Sequence, residues 1–437
     1  MSKKSTINPH IKWFRDAAPY INAHRGCTFV IKIGGEAVAD SNFAEFIDDI
    51  ALLNSLGIKL VLVHGARPQI EQLLNQHNVE SNYVAGVRVT DADALPYVLQ
   101  ACGALRTAIE AQLSRGLVNT PMAGSQVKIV SGNFVIAKPV GIRNGVDFCH
   151  TGTVRRVEHA AIKALLDAGN MVLLPSLGYS STGEIFNLHA EEIATAAATA
   201  LNADKLIFMI DGTELYEDQP RDLHTADVEI LLKDNASLPE PLRYDLESAI
   251  QACHQGVKRV HLINRSKRGA LLQELFTRDG AGTLITAGRY EHLRQADIAD
   301  VGGILQLIAP LEKDGILVRR SREQLELEIN NFIVDERDGM IVGCAALYPY
   351  PDEHIGELAC LVIHADYTGQ SRGEELLLMI ENQATRLGLK KLFVLTTQTL
   401  HWFRERGYEP VEIKALPVKK QQLYNYQRNS KVLVKAL

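Results

Sequence analysis

The sequence predicts an α/β protein of two successive domains, and three observations carry that prediction. Short β-branched runs alternate with helical patterns from Cys27 to about Ile285. Beyond Ala287 the alternation gives way to a hairpin pattern. A length of 437 residues also exceeds what one compact core usually organises.

In the first part, Thr28–Ile33 and Lys59–Val63 read as buried strands joined by an amphipathic helix from Phe43 to Leu56. Further strands are expected at Val127–Val130, Met171–Leu174, Leu206–Ile210 and Arg259–Ile263, with helices at Ala92–Ser114, Glu191–Leu201 and Tyr244–His254. Alternation over this length implies a mainly parallel sheet covered on both faces, an αβα sandwich. Asn133–His150 reads as a hairpin insertion. The boundary is placed at residue 287, giving domains 1–287 and 288–437. In the second, a short strand at Glu291–Arg294 leads into a helix starting near Asp297. Asn331–Asp335 and Met340–Leu347 flank Glu336-Arg-Asp-Gly339, a hairpin with Asp-Gly at its turn. A strand at Gly356–Ile363, a helix from about Arg372 and a strand at Lys391–Thr397 follow.

Composition excludes several classes of function. A net charge of −6 argues against a non-specific nucleic-acid binder, which needs a basic face. No run approaches the roughly 20 apolar residues of a membrane helix. Lys3 and Lys4 precede no apolar stretch, so no secretory signal is expected. The six cysteines (Cys27, Cys102, Cys149, Cys253, Cys344, Cys360) are scattered, without a C-x-x-C or a neighbouring histidine pair. Neither a disulfide framework nor a metal site is expected, and a reducing cytoplasm fits.

Leu361-Val-Ile-His-Ala-Asp-Tyr-Thr-Gly-Gln-Ser-Arg-Gly-Glu-Glu-Leu-Leu377 reads as a strand, a Gly/Ser-rich loop and a helix start. This arrangement turns backbone N–H groups and a positive helix end toward an anion, here a pyrophosphate. With the preceding hairpin and the segment His401-Trp-Phe-Arg-Glu-Arg-Gly-Tyr408, it resembles the GNAT acetyltransferase family. The resemblance implies acetyl-CoA as cosubstrate, held by Leu361, Val362, Gln370, Ser371, Arg372, Gly373 and Glu374, with Phe403 beside the cofactor arm. The loop departs from the family's usual Arg/Gln-x-x-Gly-x-Gly/Ala: Thr368 and Ser371 occupy the first and fourth positions, and only Gly373 is kept. Phe403 also stands where many members carry an acidic tyrosine, so another proton donor is needed.

Acetyl transfer from a thioester to an amino acid requires a neutral amine, hence a group that accepts the ammonium proton. Glu357, on the strand expected to split from its neighbour, is the candidate; a strand glutamate is otherwise a solvated residue. Cys360 as a covalent nucleophile is the weaker reading, since apolar-strand thiols are mostly inert. Arg319-Arg-Ser-Arg-Glu323, Gly356-Glu-Leu-Ala-Cys-Leu361, Phe393-Val-Leu-Thr-Thr397 and Tyr426-Gln-Arg-Asn-Ser-Lys431 together are similar to the bacterial N-acetylglutamate synthase family, over essentially the whole chain. That similarity implies L-glutamate as acceptor, Glu357 as base, Thr396 as hydroxyl donor to the departing thiolate, and Arg320, Arg428, Ser430 and Cys360 around the substrate. Guanidinium groups suit a dicarboxylate because they bind carboxylate bidentately.

In the first domain, Ile31-Lys-Ile-Gly-Gly35 and Val63-His-Gly-Ala66 follow strands, where glycine lets a ligand approach the backbone. With Gly86-Val-Arg-Val-Thr90, Asn187-Leu-His-Ala-Glu191 and Asn202-Ala-Asp-Lys-Leu206, they resemble the amino-acid kinase family, acetylglutamate kinases in particular. Lys32 is retained, but the second glycine turn is interrupted by Ala66-Arg67, Glu191 replaces the family aspartate, and Pro239–Asp245 replaces a glycine- and lysine-bearing nucleotide loop. Fold does not carry function, and this domain reads as a non-catalytic relative. Val260–Asn264, Leu271–Phe276 and Gly280–Thr283 match the signature of arginine-sensitive kinases, and Trp13–Ile21 matches their interlocking helix. The match implies L-arginine as inhibitor, held by Lys205, Glu274, Gly280 and Gly282, and a homo-oligomer, a hexamer in the family. Two other readings stay open: a bifunctional synthase and kinase, and an arginine sensor with an inert acetyltransferase domain.

Overall fold

The computed structural model describes residues 8–116, 122–211, 222–235, 238–277, 280–287, 293–337, 340–368, 372–426 and 428–437. The chain divides into two compact units, Met1–Gly288 and Arg289–Leu437.

Unit one opens with helix α1 (Pro9–His24), capped by the Asn8 side chain on His10 N. Its main sheet has eight strands. In chain order they are β1 (Thr28–Ile33), β2 (Lys59–His64), β3 (Ile129–Val130), β4 (Met171–Pro175), β5 (Lys205–Ile210), β6 (Asp222–His224), β7 (Val260–Asn264) and β8 (Thr283–Thr286). Their spatial order is β6-β8-β7-β5-β1-β2-β4-β3. All neighbours run parallel except β7 and β8. Phe29, Val30, Ile31, Leu60, Val61, Leu62, Leu206, Ile207 and Phe208 have no exposed surface, as expected of strands packed on both faces. Helix α2 (Ala190–Leu201) packs on that core through Ile193, Ala194, Ala197 and Ala198, and ends at Asn202 in the left-handed region. Helix α3 (Glu240–His254) packs beside it with Leu242, Leu246, Ala249 and Ala252, and α4 (Ala270–Phe276) follows β7. Asn133–His150 is more than a hairpin: Val135–Pro139 pairs with Gly152–Val157 and Leu177–Tyr179 within a separate four-stranded sheet.

Unit two is one seven-stranded sheet. Its strands are β9 (Leu293–Gln295), β10 (Phe332–Arg337), β11 (Met340–Tyr350), β12 (Ile355–Ile363), β13 (Lys391–Thr396), β14 (Glu409–Val411) and β15 (Lys431–Ala436), ordered β9-β10-β11-β12-β13-β15-β14. Only β12 and β13 run parallel. Helix α5 (Val301–Lys313) follows a short 3-10 turn capped by Asp297, and covers one face with Val301, Ile304 and Ile308 against Phe332 and Val334. Helix α6 (Arg372–Arg386) covers the other with Leu376, Leu377 and Ile380 against Ala345 and Leu347. Among its shorter helices are α7 (Leu400–Arg404) and α8 (Val418–Gln422). The expected Asp-Gly turn of the β10–β11 hairpin lies outside the described residues. No helix of the described residues is long and apolar enough to cross a membrane.

Candidate active site

The sheet of unit two opens where β12 and β13 part. They pair from Ile355↔Lys391 to Leu358↔Val394 and no further, although both strands continue. The cause is local. Cys360 sits at φ 53°, and the β11–β12 register shifts between Cys344 and Ala346. Such a bulge bends its strand away from a neighbour.

Glu357 lies beside this opening, opposite Phe393, and is only 6% exposed. Its Oε1 is 2.7 Å from Lys420 Nζ, and its Oε2 accepts from the Tyr350 hydroxyl at 3.5 Å. Thr396 ends β13 as a nearly buried hydroxyl, 2.8 Å from Thr399 Oγ1. Its oxygen also accepts from Thr399 N at 3.0 Å and Gln398 N at 3.3 Å, so the turn after β13 fixes its direction.

Two guanidinium groups face each other electrostatically near the bulge. Burial weakens the hold of Arg428 on its proton, and the charge of Arg320 weakens it further. Arg428 donates to Ile316 O, while its buried Nε meets no partner among the described residues. Burial also opposes the charge of Arg320, but Cys360, Tyr348 and Glu328 together outweigh it. Tyr348 donates to Glu328 at 2.6 Å, completing that cluster. Ser430 is nearly buried, and its carbonyl accepts from Tyr424 at 2.6 Å. Cys360 is buried, and Cys344 Sγ donates to its carbonyl at 3.5 Å. The Cys344 contact pulls the Cys360 thiol down, burial opposes it, and Arg320 reinforces the pull.

The other end of the opening is the start of α6. Leu361 and Val362 lie on β12 beyond the split. The side chain of Arg372 turns inward to Asp335, with Nη1 3.0 Å from both carboxylate oxygens, so this residue offers an anion its backbone rather than its guanidinium. Glu374 is taken by Arg406. A Cβ on Gly373 would lie 3.5 Å from Trp402 Cζ2, which puts the indole against the helix start. Phe403 is buried in the core, edge-on to both Trp402 and Tyr408. Trp402 thus flanks α6 alongside the expected Phe403, which packs in the same core as Leu376 and Ile380, and Arg406 stacks over Trp402 at 4.0 Å. Gln370 and Ser371 lie outside the described residues. No group of three or more His, Cys, Asp or Glu among the described residues is placed to hold a metal ion.

Unit one holds a cavity of about 620 Å³ between its glycine turns and the start of α3, lined among others by Lys32, Gly35, Gly65 and Arg67. Lys32 Nζ is bound at 2.6 Å by Glu191 and at 2.9 Å by Asp245. Burial alone would strip its proton, but the two carboxylates reverse that and hold it charged. Arg67 is paired with Glu240 at 3.2 Å. Two of the departures read from the sequence, Glu191 and the Pro239–Asp245 segment, thus supply the groups that neutralise the retained lysine.

The residues expected around L-arginine lie in one neighbourhood of unit one. Lys205 is buried, with Nζ 5.9 Å from the centre of the Phe29 ring. Phe29 meets His24, which in turn meets Phe276. Glu274 is buried rather than solvated: Oε1 lies 2.7 Å from His261 Nδ1, and Oε2 accepts from Ala281 N at 2.7 Å and Gly282 N at 2.8 Å. Burial would raise its pKa, yet these partners hold it down at about 2. A Cβ on Gly280, at φ 62°, would lie 2.5 Å from Glu274 Oε2, so this turn must be glycine for the carboxylate to reach it. Two N–H groups of this turn are spent on Glu274.

A sheet opened at a bulge beside a helix start, with a buried carboxylate at the mouth, defines an acyltransferase joined to a kinase-type fold. The pattern of the acetyltransferase (GNAT) family matches residues 305–408, and that of the amino acid kinase family matches residues 28–264. The sequence is 52% identical over 432 residues to the amino-acid acetyltransferase of Yersinia pseudotuberculosis serotype O:1b, covering 97% of this chain and 98% of that one. The same figures hold for the amino-acid acetyltransferase of Yersinia pestis bv. Antiqua. The chain therefore belongs to the amino-acid acetyltransferase family, enzymes that take their acetyl group from acetyl-CoA. It is also similar to the crystal structure of N-acetylglutamate synthase from Neisseria gonorrhoeae complexed with coenzyme A and L-arginine, with TM-score 0.85 and 37% identity over 98% of this chain and 100% of that one. A second structure of that synthase, complexed with coenzyme A and N-acetyl-glutamate, matches with TM-score 0.63 and 38% identity over the same shares.

Proposed function

We propose that the chain transfers the acetyl group of acetyl-CoA to the α-amine of L-glutamate, giving N-acetyl-L-glutamate and CoA, the first step of arginine biosynthesis. The observation that carries this reading is the position of Glu357, buried at the mouth of the β12–β13 opening. Glu357 takes the proton of the glutamate ammonium, and the amine attacks the thioester carbon. The carbon–sulfur bond then breaks, the surplus proton on nitrogen passes to the departing sulfur to give the CoA thiol, and the Thr396 hydroxyl donates a hydrogen bond that stabilises that sulfur. Arg320 and Arg428 hold the two carboxylates of glutamate, whose negative charge relieves the repulsion between them. Ser430 and Cys360 border the same pocket. Leu361, Val362, the segment from Gln370 to Glu374 and the Trp402–Phe403 aromatic pair hold acetyl-CoA.

Residues 1–287 regulate and assemble the enzyme, and residues 288–437 carry the chemistry, in the cytoplasm. L-arginine inhibits from the Lys205, Glu274, Gly280 and Gly282 neighbourhood. Two features support this. His24 on α1 bonds through Nε2 to Leu275 O at 2.8 Å, directly beside Glu274, so the N-terminal helix is tied to the arginine neighbourhood. The same helix exposes Ile11, Trp13 and Phe14, an apolar face suited to subunit packing in a closed oligomer such as a hexamer. The kinase-like cavity is non-catalytic because its lysine is neutralised from within.

One assay tests the whole reading. CoA release from acetyl-CoA with L-glutamate, run beside ATP hydrolysis with N-acetylglutamate, should give product in the first arm only. ATP-dependent acetylglutamyl phosphate would favour a bifunctional enzyme, and silence in both arms would favour an arginine sensor.

A further inference from the structure

The carboxylate proposed as base already has a cation on it. Lys420 Nζ lies 2.7 Å from Glu357 Oε1, and Glu357 keeps only the long 3.5 Å contact with Tyr350 on its other oxygen. The lysine is delivered by a braced element. Pro417 starts α8, Val418 N donates to Glu353 Oε1 at 3.2 Å, and Gln421 Nε2 ties the helix back to Leu416 O at 2.7 Å. Its side chain is about a quarter exposed, so unlike Glu357 it has room to move.

The Lys420 ammonium occupies the Glu357 oxygen that would otherwise receive the proton of a substrate ammonium. Lys420 in this position therefore holds Glu357 idle. The substrate supplies the means of release, since the side-chain carboxylate of L-glutamate can accept from an ammonium as well as from a guanidinium. We infer that Lys420 is a specificity-determining residue that masks Glu357 until the side-chain carboxylate of the substrate draws it away. The base is then active only with a dicarboxylic amino acid in place. An amino acid without the side-chain carboxylate leaves Lys420 on Glu357, and so does water. The masked state suppresses a wasteful step, in which Glu357 takes a proton from water, the oxygen attacks the thioester carbon and CoA leaves with acetate.

This inference rests on Glu357 being the base, and the test separates the two claims. Initial rates of CoA release are measured for the full chain with L-glutamate, with L-glutamine and with no amino acid, for wild type, Lys420→Met, Lys420→Arg and Glu357→Gln. Coenzyme A binding by titration reports that each variant is folded. Lys420→Met should narrow the preference in kcat/KM for glutamate over glutamine at least ~10-fold, and raise release without amino acid by about 10-fold. Lys420→Arg keeps the charge and should stay near wild type in both. A Lys420→Met enzyme with unchanged preference, or with an unchanged rate in the absence of amino acid, overturns the mask. A Glu357→Gln enzyme within a few-fold of wild type removes the base itself.

Discussion

Lys32 and Glu191 form a buried ion pair 2.6 Å long, and Asp245 shares the same ammonium at 2.9 Å. The three residues come from β1, α2 and α3, so the cluster pins elements far apart in sequence. Replacing the lysine with a neutral side chain strands two carboxylates away from water.

Lys32→Met should therefore destabilise unit one by about 3–5 kcal/mol, the cost of an uncompensated buried charge. Urea unfolding of the full chain, followed by far-ultraviolet circular dichroism, measures this. A loss below about 1 kcal/mol would mean that the cluster is not structural.

Thr396→Val removes the hydroxyl but keeps the shape. Turnover should fall about 10²-fold, as expected when a positioned proton donor is lost. Thr396→Ser restores a hydroxyl and should recover most of the rate. Equal losses in Val and Ser variants would point to packing at the end of β13 instead of chemistry.

Arg320→Ala and Arg428→Ala should each raise the Michaelis constant for glutamate strongly, since a charge-assisted hydrogen bond contributes roughly 1.5–3 kcal/mol. The acetyl-CoA constant should stay near wild type. If glutamate dependence is unchanged in both variants, the two guanidinium groups do not hold the substrate.

Glu274 links acidity to stability. Its carboxyl is held at about 2 against an ordinary value of 4.5, so the folded state favours the anion. That stability is fully present above about pH 4.5 and is lost as the pH falls toward 2, amounting to about 3 kcal/mol. Glu274→Gln should therefore unfold at lower urea than wild type at pH 6, with the gap closing toward pH 3. A gap independent of pH would contradict the assignment. Inhibition of acetyl transfer by L-arginine should also weaken in this variant, while uninhibited activity remains.

The main strands were legible because they are packed on both faces: Phe29–Ile31 and Leu60–Val63 are unbroken apolar runs. The helix of unit one expected from Tyr244 starts at Glu240, because Pro241 marks its first turn and hides the amphipathic pattern. The four-stranded sheet around Val135–Pro139 was missed because its strands are short and half-polar, and its two halves join only at Ile136↔Tyr179, distant in sequence. Glu357 and the two arginines could be named from motif matches. Lys420 carried no sequence signal, and although Lys32, Glu191 and the segment ending at Asp245 were each noted, their meeting across more than 150 residues arises only on folding. Phe403 was named from its motif, whereas the contact of neighbouring Trp402 with the start of α6 emerges only from packing.

The bulge at Cys360 has a consequence for how the protein survives without its cosubstrate. Past Leu358, the inner edges of β12 and β13 carry backbone donors and acceptors that do not pair with each other. Most sheets confine such unpaired edges to their rims, where charge, proline or a covering loop keeps strangers off. This enzyme keeps two of them in the middle of its sheet, where an extended amide-bearing chain is the natural guest. Under the proposed reading a guest in this opening completes the sheet, so acetyl-CoA would serve the fold as a missing stretch of strand as well as an acetyl donor.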